Sequence, residues 1–310
     1  MIFCKPEVSS SAAAMEHVKA SFAEHGLQIA FHGRLSGTEI KARRIIEGQY
    51  PALHHFACVC PPVDIELSVL EQKQFRMAFA SLQWEEALQT SSVFNAVDAA
   101  HYLKIDSSAL YELWERAEAC IRLRRGLYVA RLDRNCAADA AMRKKLNRPI
   151  YVVNGFYHAM VEQYCGETSC IEFFVCEWDE AQTSWSQLLE AVVGPSDPTA
   201  APARSLRGSI AEQWEVIGLQ TAPTAARNCV HVSNSAFSGL AERLLWKKGS
   251  MLYTDLFGSR LLSARLKSTQ VSEWARNPLV GDRPLLEHLH ALNSADCTEY
   301  LLKLGGNKQK

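Results

Sequence analysis

Two hydrophobic periods share this chain. Ile2-Phe3-Cys4-Lys5 is a short apolar run halted by Pro6, which reads as a strand. Met15, Val18 and Phe22 follow at helical spacing, with Ser9-Ser10-Ser11 as a cap and Gly26 as a stop. Leu27 to Phe31 alternates as a strand does. Ser36, with Glu39 three residues on, predicts a capping box for a helix reaching about Gly48. Further along, Phe156 to Val161 opens a helix and Ile171 to Cys176 is a strand rich in β-formers. Trp185, Leu188, Leu189 and Val192 mark a helix stopped by Gly194-Pro195, and residues 195–209 read as a Pro/Ser/Ala-rich loop. Asn228 to His231 forms the last strand edge. Ser235 then caps a helix that carries Glu242 and Trp246.

The middle of the chain is more helical. Phe75, Ala78, Phe79, Leu82 and Trp84 predict one helix, and Leu110, Leu113, Trp114 and Ala117 another. Asn95 to Tyr111 looks like a helix-turn-helix whose second helix is capped by Asp106 or Ser107, with Leu127 to Leu132 as a wing strand. Residues 93–134 hold seven Lys/Arg against six Asp/Glu, a near-cancellation that favours a protein contact over nucleic acid. After Lys247, leucines at 261, 262, 266, 285, 286, 289 and 292 keep a helical period. Such short helices need a partner, which is either the rest of the chain or another protein.

Length and composition narrow the classes. At 310 residues two domains are expected, and a net charge of -1 gives no global pull toward nucleic acid or membrane. No apolar run approaches the roughly 18 residues of a spanning helix, and the first residues do not read as a secretory signal. Ten scattered cysteines without a Cys-x-x-Cys fit a reducing compartment and no zinc site. Cys58-Val59-Cys60 has strand alternation, which would put both sulfurs on one face.

Chemistry concentrates in Asn228-Cys229-Val230-His231-Val232-Ser233. A neutral imidazole is a competent nucleophile at about pH 7 when an acceptor orients its other nitrogen. Glu242, two helical turns beyond Ser235, would come back to the same face toward His231. Upstream stand Lys5-Pro6-Glu7-Val8, Gly194-Pro195-Ser196-Asp197-Pro198 and Ser205-Leu206-Arg207-Gly208. In that order these segments resemble the nucleoside diphosphate kinase family, and its divergent cilia-associated branch more than the compact housekeeping enzymes.

The resemblance covers about residues 1–50 and 154–248, with 51–153 as an inserted module and 249–310 as a helical C-terminal extension. It implies an α+β fold with a ferredoxin-like antiparallel sheet, interrupted by a mainly helical, winged-helix-like insertion. The implied reaction moves the γ-phosphate of a nucleoside triphosphate to a nucleoside diphosphate through phospho-His231, with Mg²⁺ carried on the nucleotide phosphates. His231, Lys5 and Glu242 would be catalytic. Tyr50, Phe156, Met160, Ser196, Arg207, Asn228 and Ser233 would hold the nucleotide, with Phe156 and Met160 on its base. Protein partners would dock on the insertion and the tail, in the cytoplasm or a ciliary axoneme. Val232 replaces the family glycine, Asn234 an acidic residue, and Glu190 stands in the place of a second phosphate-binding arginine. Those departures keep open the alternative of a catalytically degenerate structural protein in a large assembly.

Overall fold

In chain order, the strands that build the two four-stranded sheets are β1 (Ile2–Cys4), β2 (Gln28–Ser36), β3 (Val93–Asn95), β4 (Cys120–Arg124), β5 (Leu127–Leu132), β6 (Ile150–Val153), β7 (Cys170–Glu177) and β8 (Val230–Val232). The coordinates are a computed structural model that describes residues 1–225, 227–281 and 283–307. The chain is mixed α and β and forms two compact units, Met1–Ile45 with Gly166–Lys310, and Ile46–Cys165.

In the first unit the sheet order is β2-β7-β1-β8 and every neighbouring pair is antiparallel. β1 and β2 therefore run parallel with β7 between them, and β7 and β8 run parallel with β1 between them. The Ala12–Glu24 helix follows β1, capped by Ser11, whose Oγ accepts from the Ala14 N–H at 3.2 Å. Ala14, Met15, Val18 and Phe22 turn into the apolar cluster, and Gly26 ends the helix at φ +69. β2 is longer than Leu27 to Phe31 because β7 pairs with it through to Ser36. The Ser36–Glu39 capping box is present, but its helix stops at Ala42, where Arg44 at φ +51 turns the chain.

Trp185–Gln187 is helical and widens into a π-helix over Leu188–Val193 before Gly194 at φ +88. The loop that follows closes earlier than its composition suggests. Ser205 caps the Leu206–Gln213 helix, its Oγ accepting from the Gly208 N–H. A Cβ on Gly208 would stand 2.0 Å from the Pro202 carbonyl oxygen, so only glycine fits there.

The tail packs on this same unit. Phe257, Leu261, Trp274, Leu289, Cys297 and Leu301 join the cluster that contains Ile2, Val18 and Phe237. Polar bonds fix the docking: the Glu180 carboxylate accepts from the Ser294 N–H at 3.0 Å and hydroxyl at 2.6 Å, and the Ala291 N–H donates to the Asn234 carbonyl at 2.8 Å.

The second unit carries the sheet β3-β6-β5-β4, with β3 parallel to β6 and the other pairs antiparallel. Its helix-turn-helix is Ala96–Leu103, then Lys104 in the left-handed region, then Ser107–Glu115 capped by Asp106. The β4–β5 hairpin follows it, and β5 is the strand expected over Leu127 to Leu132.

Three expectations for this unit are corrected. Phe75 to Trp84 is two helices, Val69–Ala78 and Trp84–Gln89, because Ala80 and Ser81 take φ +52 and +68 between them. Cys58 lies in a π-helix over His55–Val59, not a strand; Pro51 starts the helical run and the Cys60 N–H reaches back to the His55 carbonyl at 2.8 Å. Residues 154–165 fold with this unit. Asn154 bonds Leu53, Gly126 and Tyr128, and the Phe156 ring packs on Trp114 and Tyr128.

Candidate functional site

His231 sits at the centre of β8, an edge strand paired with β1 in the register Phe3↔His231. Val230 and Val232 turn into the apolar cluster, so strand alternation sends His231 to the opposite face. There the Phe3 ring stacks on the imidazole, centroids 4.5 Å apart and planes within 18°. The Ala236–Trp246 helix begins where Ser235 accepts from the Ser238 N–H, and this fixed start brings Glu242 back to β8.

Glu242 Oε1 stands 2.9 Å from His231 Nε2. Its other oxygen is 2.7 Å from Ser233 Oγ, which also lies 2.9 Å from the Met1 carbonyl, so one hydroxyl proton is shared between two acceptors. Burial alone would raise the Glu242 pKa. The His231 imidazole, the amino terminus and the Ser233 hydroxyl outweigh it, and the carboxyl lies below its ordinary value. An ionised carboxylate only accepts, so the ring nitrogen facing it, Nε2, carries a proton and donates.

Lys5 continues β1 in extended conformation, and its N–H donates to the Cys229 carbonyl at 2.8 Å. Two positions along from Phe3, it falls on the same side of the strand. Burial, and next the Arg207 charge, push the Lys5 ammonium below its ordinary pKa, against Glu7. Arg207 itself is 7 % exposed and spends its fork on the backbone. One Nη donates to Gly194 O at 2.6 Å and the other to Val230 O at 2.9 Å, tying the glycine turn to β8. Asn228 donates to the Ser196 carbonyl at 3.1 Å, so these two expected nucleotide contacts meet each other.

Lys5, Ser196, Arg207, Asn228, His231, Ser233 and Glu242 thus belong to one compact unit. Tyr50, Phe156 and Met160 belong to the other, where Phe156 and Met160 pack against its helical cluster. Ser233 is fully buried on Glu242, which corrects its expected place against nucleotide: a ligand cannot touch it. Glu190 is exposed and accepts from the Ser186 hydroxyl. Val232 is a buried strand residue, a setting that suits valine. Among the described residues, no group of three or more His, Cys, Asp or Glu is arranged for a metal.

Two features of the site escaped the sequence reading. Phe3 and Trp246 stack in series behind His231, a relation that needs the β1–β8 register to be known. Arg243 pairs with Asp255 at 3.0 Å and donates to the Met251 carbonyl at 3.1 Å, holding the turn after Trp246. Chemically, the centre offers an imidazole whose Nε2–H is held by a largely buried carboxylate and whose Nδ1 suits nucleophilic or proton-accepting work. No family model, no curated protein and no solved structure matches this chain.

Proposed function

We propose that the chain is a nucleoside diphosphate kinase-like protein that transfers a γ-phosphate through phospho-His231. The observation that carries this reading is the His231–Glu242–Ser233 chain of hydrogen bonds at 2.9 and 2.7 Å. It supplies the fixed tautomer that an in-line phosphoryl acceptor requires. The strand order supports it as well. Two interleaved strand–helix–strand halves, each split by a strand of the other, are the order that a ferredoxin-like sheet would have.

In the first half-reaction the Nδ1 lone pair attacks the γ-phosphorus, the Nδ1–P bond forms, and the bond to the β–γ bridging oxygen breaks to release the diphosphate. A second nucleoside diphosphate reverses the sequence with its own terminal oxygen. Glu242 keeps the Nε2 proton in place throughout. Lys5 contributes positive charge to the transferring group, and Arg207 acts through its charge while it clamps the backbone. Mg²⁺ on the nucleotide phosphates would need few protein ligands, and this reading assigns it none.

Incubation with γ-labelled ATP tests the proposal. Label that is acid-labile and alkali-stable, absent from His231→Ala and passed on to GDP, is the expected result. A second reading draws on Arg207, whose fork is committed to two carbonyls, and on the exposed Glu190. In it the unit is a structural platform, with partners on the second unit and the tail, in an assembly such as an axoneme. Intact ATP binding without any label decides for that reading.

A further inference from the structure

We infer that Phe3 is the positioning residue of His231, holding the imidazole plane on Glu242 from a sandwich completed by Trp246. The β1–β8 register sets Phe3 opposite His231, while Ile2, Cys4, Val230 and Val232 occupy the other face. The Phe3 ring lies 4.5 Å from His231 on one side and 4.5 Å from Trp246 on the other, with interplanar angles of 18° and 27°. Phe3 and Trp246 are both 0 % exposed. Trp246 is held in turn: Arg43 donates to the Leu245 and Trp246 carbonyls at 2.7 and 2.9 Å, and Phe173 meets the indole at 5.9 Å.

A hydrogen bond at Nε2 fixes one direction of an imidazole but leaves its plane loosely set, because the terminal torsion of histidine has broad wells. A flat face pressed on the ring removes that freedom, and it does so without occupying either nitrogen. It has a second consequence. When Nδ1 takes up the phosphoryl group and Nε2 keeps its proton, the ring becomes cationic. The π-face of Phe3 then attracts it while Glu242 faces its edge. Trp246 backs the phenyl ring, so that Phe3 cannot tilt away.

The orientation claim stands on the packing alone; only its kinetic arm rests on the phosphoryl-transfer reading. Phe3→Leu keeps apolar volume and removes the flat face, and Trp246→Phe leaves Phe3 in place with a smaller backing. The full chain is examined by NMR of the histidine ring and by γ-labelled ATP. In the parent protein the His231 carbon-bound protons should be shifted upfield by the adjacent ring, with a slowly exchanging Nε2–H. Phe3→Leu should lose both signatures, and Trp246→Phe should weaken them. Phosphohistidine should then form about tenfold or more slowly, with the KM for ATP changed by less than about twofold. Unchanged ring signals in a folded Phe3→Leu overturn the proposal, and lost signals with an unchanged labelling rate overturn its kinetic arm. Should Phe3→Leu fail to fold, unchanged signals in Trp246→Phe overturn it equally. A parent protein that shows the stack but takes no label overturns the phosphoryl-transfer reading and supports the positioning one.

Discussion

His231 Nε2 and Glu242 Oε1 meet at 2.9 Å although they stand eleven positions apart, one on a strand edge and the other two turns into a helix. The Ser235 cap sets the phase of that helix, and the phase sets the pairing. Glu242→Gln keeps the shape and removes the charge that selects the Nε2 tautomer. The rate of phosphohistidine formation should fall about a hundredfold, with little change in ATP affinity. Wild-type labelling kinetics in this variant would mean that the pair is structural.

The same carboxylate makes a stability prediction. Burial raises its pKa, yet His231, the amino terminus and Ser233 bring the net value below that of a free glutamate. A depressed folded value means that the ionised form contributes stability above the unfolded value of about 4.3, and that this is lost as pH falls through the lower folded value. Urea midpoints of the parent protein should therefore drop more steeply than those of Glu242→Gln below about pH 4.5. Parallel curves for the two proteins through the acid range would refute the linkage.

Local chemistry was readable from the sequence because it is carried by neighbours in the chain. Ser36 with Glu39, Ser235 before its helix and Gly26 after one each announce an element end, and the structure places all three as read. Glu242 opposite His231 followed from the same local logic. Phe156 did not, because an aromatic at a helix start looks alike in either of two clusters. Asn154 at φ +49 and its bonds to Gly126 and Leu53 decide which one it joins. Ser233 was misplaced for a related reason: its hydroxyl is polar, but it is taken up by the Met1 carbonyl just ahead of β1 and by the Glu242 side chain.

Two glycines separate steric from conformational need. Gly208 has its missing Cβ 2.0 Å from a carbonyl oxygen, whereas Gly26 at φ +69 has nothing within 4 Å. Gly26→Ala should cost about 1 kcal/mol, the strain of a left-handed alanine. Gly208→Ala must displace the Pro202 backbone, and should cost about 2–4 kcal/mol. Equal urea midpoints for the two variants would contradict this assignment.

Asn154 joins three segments of the second unit. Its Oδ1 accepts from the Tyr128 N–H at 2.9 Å, and its Nδ2 donates to Gly126 O at 2.7 Å and Leu53 O at 3.2 Å. Asn154→Gly preserves the left-handed backbone and deletes all three bonds, so the loss is about 2–4 kcal/mol of polar satisfaction rather than of strain. Hydrogen exchange should show the destabilisation across β5 and β6, with protection in β1 and β7 unaltered. Uniform loss of protection in both sheets would show that the two units unfold as one.

Arg207 distinguishes a backbone clamp from a phosphate ligand. Its fork spans Gly194 O and Val230 O, a geometry that a lysine ammonium cannot reproduce. Arg207→Lys retains the charge near Lys5 but leaves at least one buried carbonyl unpaired, which costs about 1–3 kcal/mol. Urea unfolding should register that loss while the KM for ATP stays within about threefold. The opposite pattern, unchanged stability with a KM raised tenfold or more, would make Arg207 a direct phosphate contact and remove the clamp from the description of β8.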